Sequence, residues 1–443
     1  MSGYKGGSRH KAATTAKAAG HFLFEHDMEA AWSWSGERWQ QEQLAGVHRA
    51  YVFAREWVPY YKMRSEVYPP APRSIDELKG FLQELPALTK DEVRRHNQEF
   101  RPPFWRLPTT THTTSGTSGT PLRIYASLLE RVRTDAALAS WYRRLLKSRR
   151  EPRLVALSGF VKGLTAPIVS SGRAGEFFIN IYQISPRHRA SYASLLDVEH
   201  PTVVAGYSSA IAELARVMAP LGSRARRSTV VIPTSEVCTP QHRMVISERL
   251  SSAVHGQYGS QEGGHLAFEC AEGLRYHVHP LFGRVDIRST SARAAEMETF
   301  ISSQRRGMPL FNYQLGDVAR LAPASCACGS GWPSFDGLQG RSEDLVVARD
   351  GRRIGYLLFH STKALTSISE AQLIQKGILD FEVNLVLDGP VPDRKALESH
   401  VEREIEMRLG YPVRIGFNYL ESIPRHGANG KFKAVIVEIP DGS

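Results

Sequence analysis

From His21 to about Glu99 the apolar positions recur every three or four residues, as in Leu44, Val47 and Tyr51 and again in Ile75, Leu78, Phe81 and Leu82. That spacing collects apolar side chains on one face of a helix, so the chain is predicted to open on helices. Between about Phe104 and Gly340 the pattern changes. Short β-branched runs (Arg153 to Leu157, Thr202 to Ala205, Ser228 to Ile232) alternate with helical stretches such as Ser208 to Met218 and Pro240 to Val254. Strand and helix in alternation predict a parallel sheet with crossover helices. After Arg341, small strands (Phe381 to Leu387, Val413 to Tyr419, Ala434 to Glu438) surround a charged helix from Asp393 to Leu409. They read as a separate α+β unit of about 100 residues. The expected fold class is therefore α/β, with a large multi-layer N-terminal domain over residues 21–341 and a small α+β domain over 342–443. Residues 1–20, rich in Gly, Ala, Ser, Thr and Lys and without an acid, read as a disordered basic lead.

A length of 443 residues, 42% of them hydrophobic, is enough to fill two or three cores. The formal net charge of +11 favours an acidic partner: nucleic acid, a phosphorylated cofactor or an acidic carrier protein. The basic residues come in short clusters (Arg143-Arg144, Lys147 to Arg150, Arg224 to Arg227) with no reading motif or aromatic platform, which argues against nucleic acid. No apolar run approaches the roughly 18 residues of a membrane span, and the first twenty residues lack a secretory apolar block. The expected location is the cytoplasm.

Four cysteines are too few for a disulfide scaffold and fit a reducing compartment. Cys326-Ala327-Cys328 is too tightly spaced for easy mutual bridging but suits the grip of one metal ion. Together with Cys270 and His277 it offers three thiolates and an imidazole, the donor set of a closed, structural tetrahedral zinc site. His279 is the alternative nitrogen ligand, and Cys238, far from the set in sequence, is expected to be a packed thiol.

The most unusual segment is the block of hydroxyls and glycines from Thr109 to Thr120, followed by Pro121. A loop of this composition presents many N–H and O–H donors to phosphate oxygens, and its glycines let the backbone approach closely. It lacks the Gly-Lys-Ser/Thr ending of a Walker loop.

The stretch Thr114, Ser115, Gly116, Thr117, Ser118, Gly119, Thr120, Pro121 resembles the phosphate loop of the adenylate-forming superfamily of acyl-CoA synthetases and adenylation domains. The resemblance continues in order through Thr234-Ser235-Glu236, Tyr258-Gly259-Ser260-Gln261-Glu262, Leu315-Gly316-Asp317, Gly340 to Asp344, and Pro424 to Lys431. Gly206-Tyr207-Ser208-Ser209, Glu269-Cys270 with His277, Cys326-Ala327-Cys328-Gly329 and Asp350 to Gly355 are closest to the phenylacetate-CoA ligase-like branch, including its capsule-biosynthesis (CapK-like) relatives. The resemblance implies a small C-terminal domain that moves over the large one. It also implies an AMP-forming ligase, which uses ATP and Mg²⁺ to turn a carboxylic acid into an acyl-adenylate and then transfers the acyl group, with coenzyme A the favoured acceptor. An acidic carrier protein, an amine or an alcohol is the alternative acceptor, and a non-catalytic nucleotide-binding protein the alternative class.

Carried to single positions, the resemblance implies that Tyr258 stacks on adenine, Glu236 lies beside the base and Glu262 holds Mg²⁺ between the phosphates, a hard oxygen for a hard cation. Asp317 would take the ribose hydroxyls and Arg341 the ribose or phosphate at the hinge. Lys431 would contact the carboxylate and α-phosphate, with Lys433 its neighbouring rival. Separately from the resemblance, the aromatic side chains of Trp141, Tyr142, Tyr207 and Phe160, together with Gly259, are candidate walls of a pocket for an aromatic or small hydrophobic acid. Two departures from the family pattern stand out. Gln261 occupies the place usually held by Thr, where its amide can still donate to phosphate, and Thr120 stands where many relatives carry Lys.

Overall fold

In a computed structural model of the protein, the described residues are 24–103, 109–113, 122–148, 150–158, 166–264, 266–270, 272, 275–289, 297–322, 326–341, 346–349, 353–354, 368–387, 393–424, 433 and 435–439. The basic lead lies outside them. The helical opening is present as read: Gly36–Trp57 starts where the Ser35 side chain accepts from the Arg38 N–H, and it ends at Val58, before Pro59. Leu44, Val47, Tyr51 and Ala54 form its buried stripe, with further packing from Ile75–Glu84. Among the described residues no helix is long and apolar enough to cross a membrane.

The stripe faces a sheet that the alternation did not predict. From Gln257 to Arg341 the chain forms seven strands, in the order Gly283–Arg288, Met297–Ser303, Tyr313–Leu321, Ser334–Arg341, Tyr276–Val278, Leu266–Glu269, Gln257–Gly259, paired antiparallel throughout. Connections such as those from Leu266–Glu269 to Tyr276–Val278 and from Gly283–Arg288 to Met297–Ser303 are too short for the dozen or more residues a parallel crossover needs. The parallel expectation therefore holds only for the preceding segment. There Glu176–Asn180, Arg153–Ser158, Thr202–Gly206 and Thr229–Pro233 pair in parallel, with Ile168–Ser170 antiparallel at one edge.

Successive residues of these strands serve opposite faces, as strand geometry requires. Val204 and Val231 pack among Ser208–Val217, Arg189–Leu196 and Pro240–Arg249, whereas Val203, Val230 and Ile232 pack against Leu128–Leu146. That last helix lies between the two sheets. Its Trp141, 3% exposed, stacks on Phe268 of the antiparallel sheet with ring centroids 4.3 Å apart. The first part of the hydroxyl block is also not loop: Thr109–Thr113 is a strand paired antiparallel with Arg123–Ser127, in line with the β-preference of branched threonine.

At the C-terminal end, Arg414–Tyr419, Asp380–Leu387, Ile368–Gln375 and Val435–Val437 form a four-stranded sheet with an antiparallel centre and parallel edges. Helix Arg394–Leu409 starts at Asp393, whose carboxylate accepts from the Ala396 N–H at 2.9 Å, and ends at Gly410 with φ +83°. Leu373, Val383 and Leu385 pack with Val401, Ile405 and Leu409 in a core of their own, which Val346 and Ala348 join. On the other face, side-chain amides hand on one hydrogen bond after another. Asn418 donates to Asn384 at 3.0 Å, Asn384 to Gln372 at 2.9 Å, and Gln372 to the Lys433 carbonyl at 2.8 Å.

Candidate functional site

Strand Tyr313–Leu321 carries Asp317 just after Gly316, whose φ of +80° an L side chain would resist. The carboxylate meets Tyr258 from the far strand of the same sheet: the phenol donates to Asp317 Oδ2 at 2.8 Å. Thr299, fully buried, lies 3.4 Å from the Tyr258 hydroxyl and donates to the Asp317 backbone carbonyl at 3.1 Å. The Tyr258 ring is buried edge-on against Phe335 and Tyr276. Across the ladder, Asp317 is the register partner of Arg341. Positions distant in sequence thus meet on one sheet. Thr299, which the sequence reading did not single out, couples two of them.

Glu236 lies at the start of helix Ser208–Val217, whose first residue follows Tyr207 and whose N-cap makes no side-chain hydrogen bond. Its carboxylate accepts the Ser209 N–H at 3.2 Å, filling an otherwise open donor at the helix end. The preceding Ser235 has φ +65°, and Thr234 N–H donates to the Gly206 carbonyl at 2.9 Å. Tyr207 and Glu236 therefore share a corner at the ends of Thr202–Gly206 and Thr229–Pro233. Gly259 is exposed at the end of Gln257–Gly259, and Trp141 belongs to the core between the sheets.

Glu262 is 3% exposed and makes no hydrogen bond or ion pair among the described residues. A buried carboxylate with no hydrogen bond of its own among the described residues, facing only the nearby charge of Arg305, is costly, and a divalent cation is one group that removes the cost. The turn that carries it closes through Ser260, whose Oγ accepts from Gly263 and whose carbonyl accepts from Gly264. Arg305 Nη1 donates to the Gln261 carbonyl at 2.6 Å. Arg305 was not singled out from the sequence. Thr114, Ser115, Gly116, Thr117, Ser118, Gly119, Thr120, Phe160 and Lys431 lie outside the described residues, as does the Arg341 side chain.

The cysteine and histidine set does come together. The donor atoms of Cys270, His277, Cys326 and Cys328 all lie within 4.8 Å of one another. Cys270 Sγ and Cys326 Sγ are 3.6 Å apart, and Cys328 Sγ is 3.3 Å from His277 Nε2. With metal–sulfur bonds of about 2.3 Å, tetrahedral edges are roughly 3.8 Å, so the four atoms are spaced for one ion. Gly329, at φ +73°, donates to the Cys326 carbonyl at 3.0 Å and folds the Cys-Ala-Cys turn. Burial depresses the His277 pKa and favours the neutral, ligating imidazole. Its Nδ1 lies 3.3 Å from the Trp332 carbonyl, an orienting contact of the kind metal-bound histidines use.

His279, the alternative ligand, is enclosed by Trp32, Phe268, Phe282 and Trp332, and burial holds its pKa down to about 3. Burial likewise pushes the Cys238 thiol up to about 12, keeping it protonated.

The strands Leu266–Glu269 and Tyr276–Val278, which precede Cys270 and contain His277, are anchored by Glu269, 5% exposed, which takes both Nη2 contacts of Arg243 at 2.7 and 2.8 Å and the Gly256 N–H at 2.6 Å. Arg243 also donates to the Val254 carbonyl at 2.6 Å. Arg243→Met is expected to lower unfolding stability by about 3–5 kcal/mol in urea titration, because Glu269 would stay buried without its partner. A loss under about 1 kcal/mol would mean that the carboxylate finds another partner.

Residues 346–438 match the family described as the CapK C-terminal domain. No curated protein matches the chain by sequence. The structure is similar to 2-hydroxyisobutyryl-CoA ligase in the postadenylation state in complex with R3-HIB-AMP, with a TM-score of 0.67 and 15% identity over 92% of this chain and 90% of that one. It is also similar to the anthranilate CoA ligase AuaEII in complex with anthranoyl-AMP (TM-score 0.51, 14% identity, 73% of this chain and 64% of that one). A third similar structure is an ATP-bound RpMatB-BxBclM chimera (TM-score 0.51, 15% identity, 72% and 65%). The chain has the fold of the adenylate-forming enzymes, with CapK-like features in its C-terminal part.

Proposed function

We propose that this chain is an AMP-forming ligase that activates a carboxylic acid with MgATP and passes the acyl group on, most directly to coenzyme A. The observation that carries the reading is the meeting of Tyr258, Asp317 and the Arg341 position on one sheet, with the buried carboxylate of Glu262 following Tyr258 on the next turn. In the first step a carboxylate oxygen attacks the α-phosphorus of ATP and the bond to the bridging oxygen breaks, releasing pyrophosphate. In the second, an acceptor thiolate attacks the acyl carbon and AMP leaves. Asp317 is suited to accept from ribose hydroxyls, and Tyr258 holds that carboxylate in place. Glu262 would hold Mg²⁺, which supplies charge neutralisation to the phosphates. Tyr207 and Gly259 would border the acid, an aromatic or small hydrophobic one.

The same reading places the phosphate contacts on Thr114 to Thr120, with Gln261 donating from the metal-side turn. It puts the hinge at Arg341, between domains at 21–341 and 342–443, with Lys431 on the mobile part. The Cys270, His277, Cys326 and Cys328 cluster would bind one structural Zn²⁺, since four protein ligands leave no open position. Reduced thiols of this kind fit a cytoplasmic protein.

The test is pyrophosphate release against a panel of aromatic, hydroxy and short aliphatic acids, with products identified by mass spectrometry. An acid-dependent burst of pyrophosphate and an acyl-CoA product are expected. MgATP binding without pyrophosphate from any acid would leave a nucleotide-binding protein. Acyl-AMP consumed by an amine or carrier protein and not by coenzyme A would reassign the acceptor.

A further inference from the structure

We infer that Arg305 is a positioning residue for MgATP, clamping the turn that presents Glu262 and tying it to the paired strands Thr109–Thr113 and Arg123–Ser127. The inference rests on the reading of Glu262 as the Mg²⁺ ligand. Its geometry is independent of that reading. The Arg305 guanidinium bonds the Gln261 carbonyl at 2.6 Å and lies against Gly264, where a Cβ would come within 1.9 Å of Nε and 2.5 Å of Cζ. Gly264 has φ +57°, so both backbone shape and available space reserve that place for glycine.

Arg305 therefore holds the turn at both ends, through the carbonyl before Glu262 and the glycine after it. Its hydrogen bond goes to the Gln261 carbonyl, which leaves the Glu262 oxygens available to a cation. The charge of Arg305 interacts with the carboxylates of Glu262 and Glu130.

The backbone on the other side of Arg305 is fixed by Glu130. Arg306 N–H and Gly307 N–H donate to its Oε1 at 2.8 and 3.0 Å, and Ser127 N–H donates to its Oε2 at 2.8 Å. Ser127 is the last residue of the strand paired with Thr109–Thr113 and the N-cap of helix Leu128–Leu146. Gly307 fits so closely that a Cβ there would lie 3.1 Å from Glu130 Oε2 and 3.2 Å from the Ser127 nitrogen and Tyr125 oxygen. One short path thus runs from the strand pair through Glu130 and the 306–307 backbone to Arg305 and the Glu262 turn. The Glu262 turn and that strand pair are held in one spacing.

The experiment is calorimetric titration of the full chain with ATP, with MgCl₂ and with EDTA, alongside thermal unfolding. Arg305→Ala is expected to weaken MgATP binding about 10–30-fold, the scale of a lost charge-assisted hydrogen bond. Metal-free ATP should change less than about 3-fold, and the unfolding midpoint should barely move. Arg305→Lys should recover only part, because an ammonium lacks the planar fork. Gly264→Ala should also weaken MgATP binding more than binding of metal-free ATP, because its Cβ would displace the guanidinium and strain the turn at φ +57°.

Unchanged MgATP affinity in Arg305→Ala would overturn the inference. So would equal weakening with and without Mg²⁺, which would make Arg305 a phosphate contact. If Arg305→Ala does not fold, Arg305→Lys and Gly264→Ala decide by the same Mg²⁺ comparison. If the wild-type chain binds MgATP yet forms no pyrophosphate with any acid, the ligase reading fails while this inference stands or falls on binding; if it binds no MgATP, both fail.

Discussion

Lys431→Ala is expected to slow acyl-adenylate formation at least about 100-fold, the usual consequence of removing one preorganised charge from a transition state that sheds pyrophosphate. Folding should be unaffected. The transfer half-reaction, started from supplied acyl-AMP, should keep much of its rate, because the C-terminal domain would by then have turned this lysine away. Lys433→Ala is the matched control. Its carbonyl ends the amide row from Asn418 through Gln372, so that backbone is fixed from the sheet whatever the side chain is. Near-normal adenylation is therefore expected. The reverse pattern, or an equal fall of both half-reactions in Lys431→Ala, would remove the assigned role and the two-conformation scheme.

Zinc removal should have the largest effect on stability. Protein purified under reducing, chelator-free conditions is expected to carry about one zinc per chain. Cys326→Ser should lose it and lower stability by more than about 4 kcal/mol, since structural metal contributes folding free energy directly. The damage should reach the helical opening, because the Trp332 carbonyl faces His277 while its indole donates to the Ala31 carbonyl at 3.0 Å and stacks on Trp32. Elemental analysis without bound metal would sink the assignment even if the variant were unstable.

Periodicity made the helices and the parallel strands legible. Ser208–Val217 and Thr202–Gly206 follow their apolar patterns to within a residue or so, because burial on a regular element leaves a regular signature. The antiparallel sheet was not legible as such. Its strands Gln257–Gly259, Leu266–Glu269 and Ser334–Arg341 hold no Val, Ile or Thr, so no β-branched run marks them, and pairing direction is set by connection length, which the runs alone do not show. Trp141 was read as a pocket wall from its aromatic character; its stacking on Phe268, more than a hundred residues away in sequence, leaves no local mark. His277 and His279 were indistinguishable by spacing. They separated only when the bend ahead of Ser334–Arg341 supplied Trp332, whose carbonyl faces one and whose ring covers the other. Glu130 did carry a signal, since Ser127-Leu128-Leu129-Glu130 ahead of an apolar helix is a capping-box sequence. Arg305 carried none, its role depending on Gly264 and Gln261 from a distant turn.

The helices at the start of the chain lean on strands made near the end of the large domain. Trp332 reaches Ala31 across 301 residues of sequence, Tyr61 reaches Pro309 across 248, and Gln43 reaches Gly283 across 240. At a synthesis rate of about 5–20 residues per second, the apolar stripe of Gly36–Trp57 leaves the ribosome tens of seconds before its partner sheet exists. During that interval its Leu44, Val47 and Tyr51 face water or a chaperone, so the yield of folded protein in a cell depends on how that nascent surface is shielded.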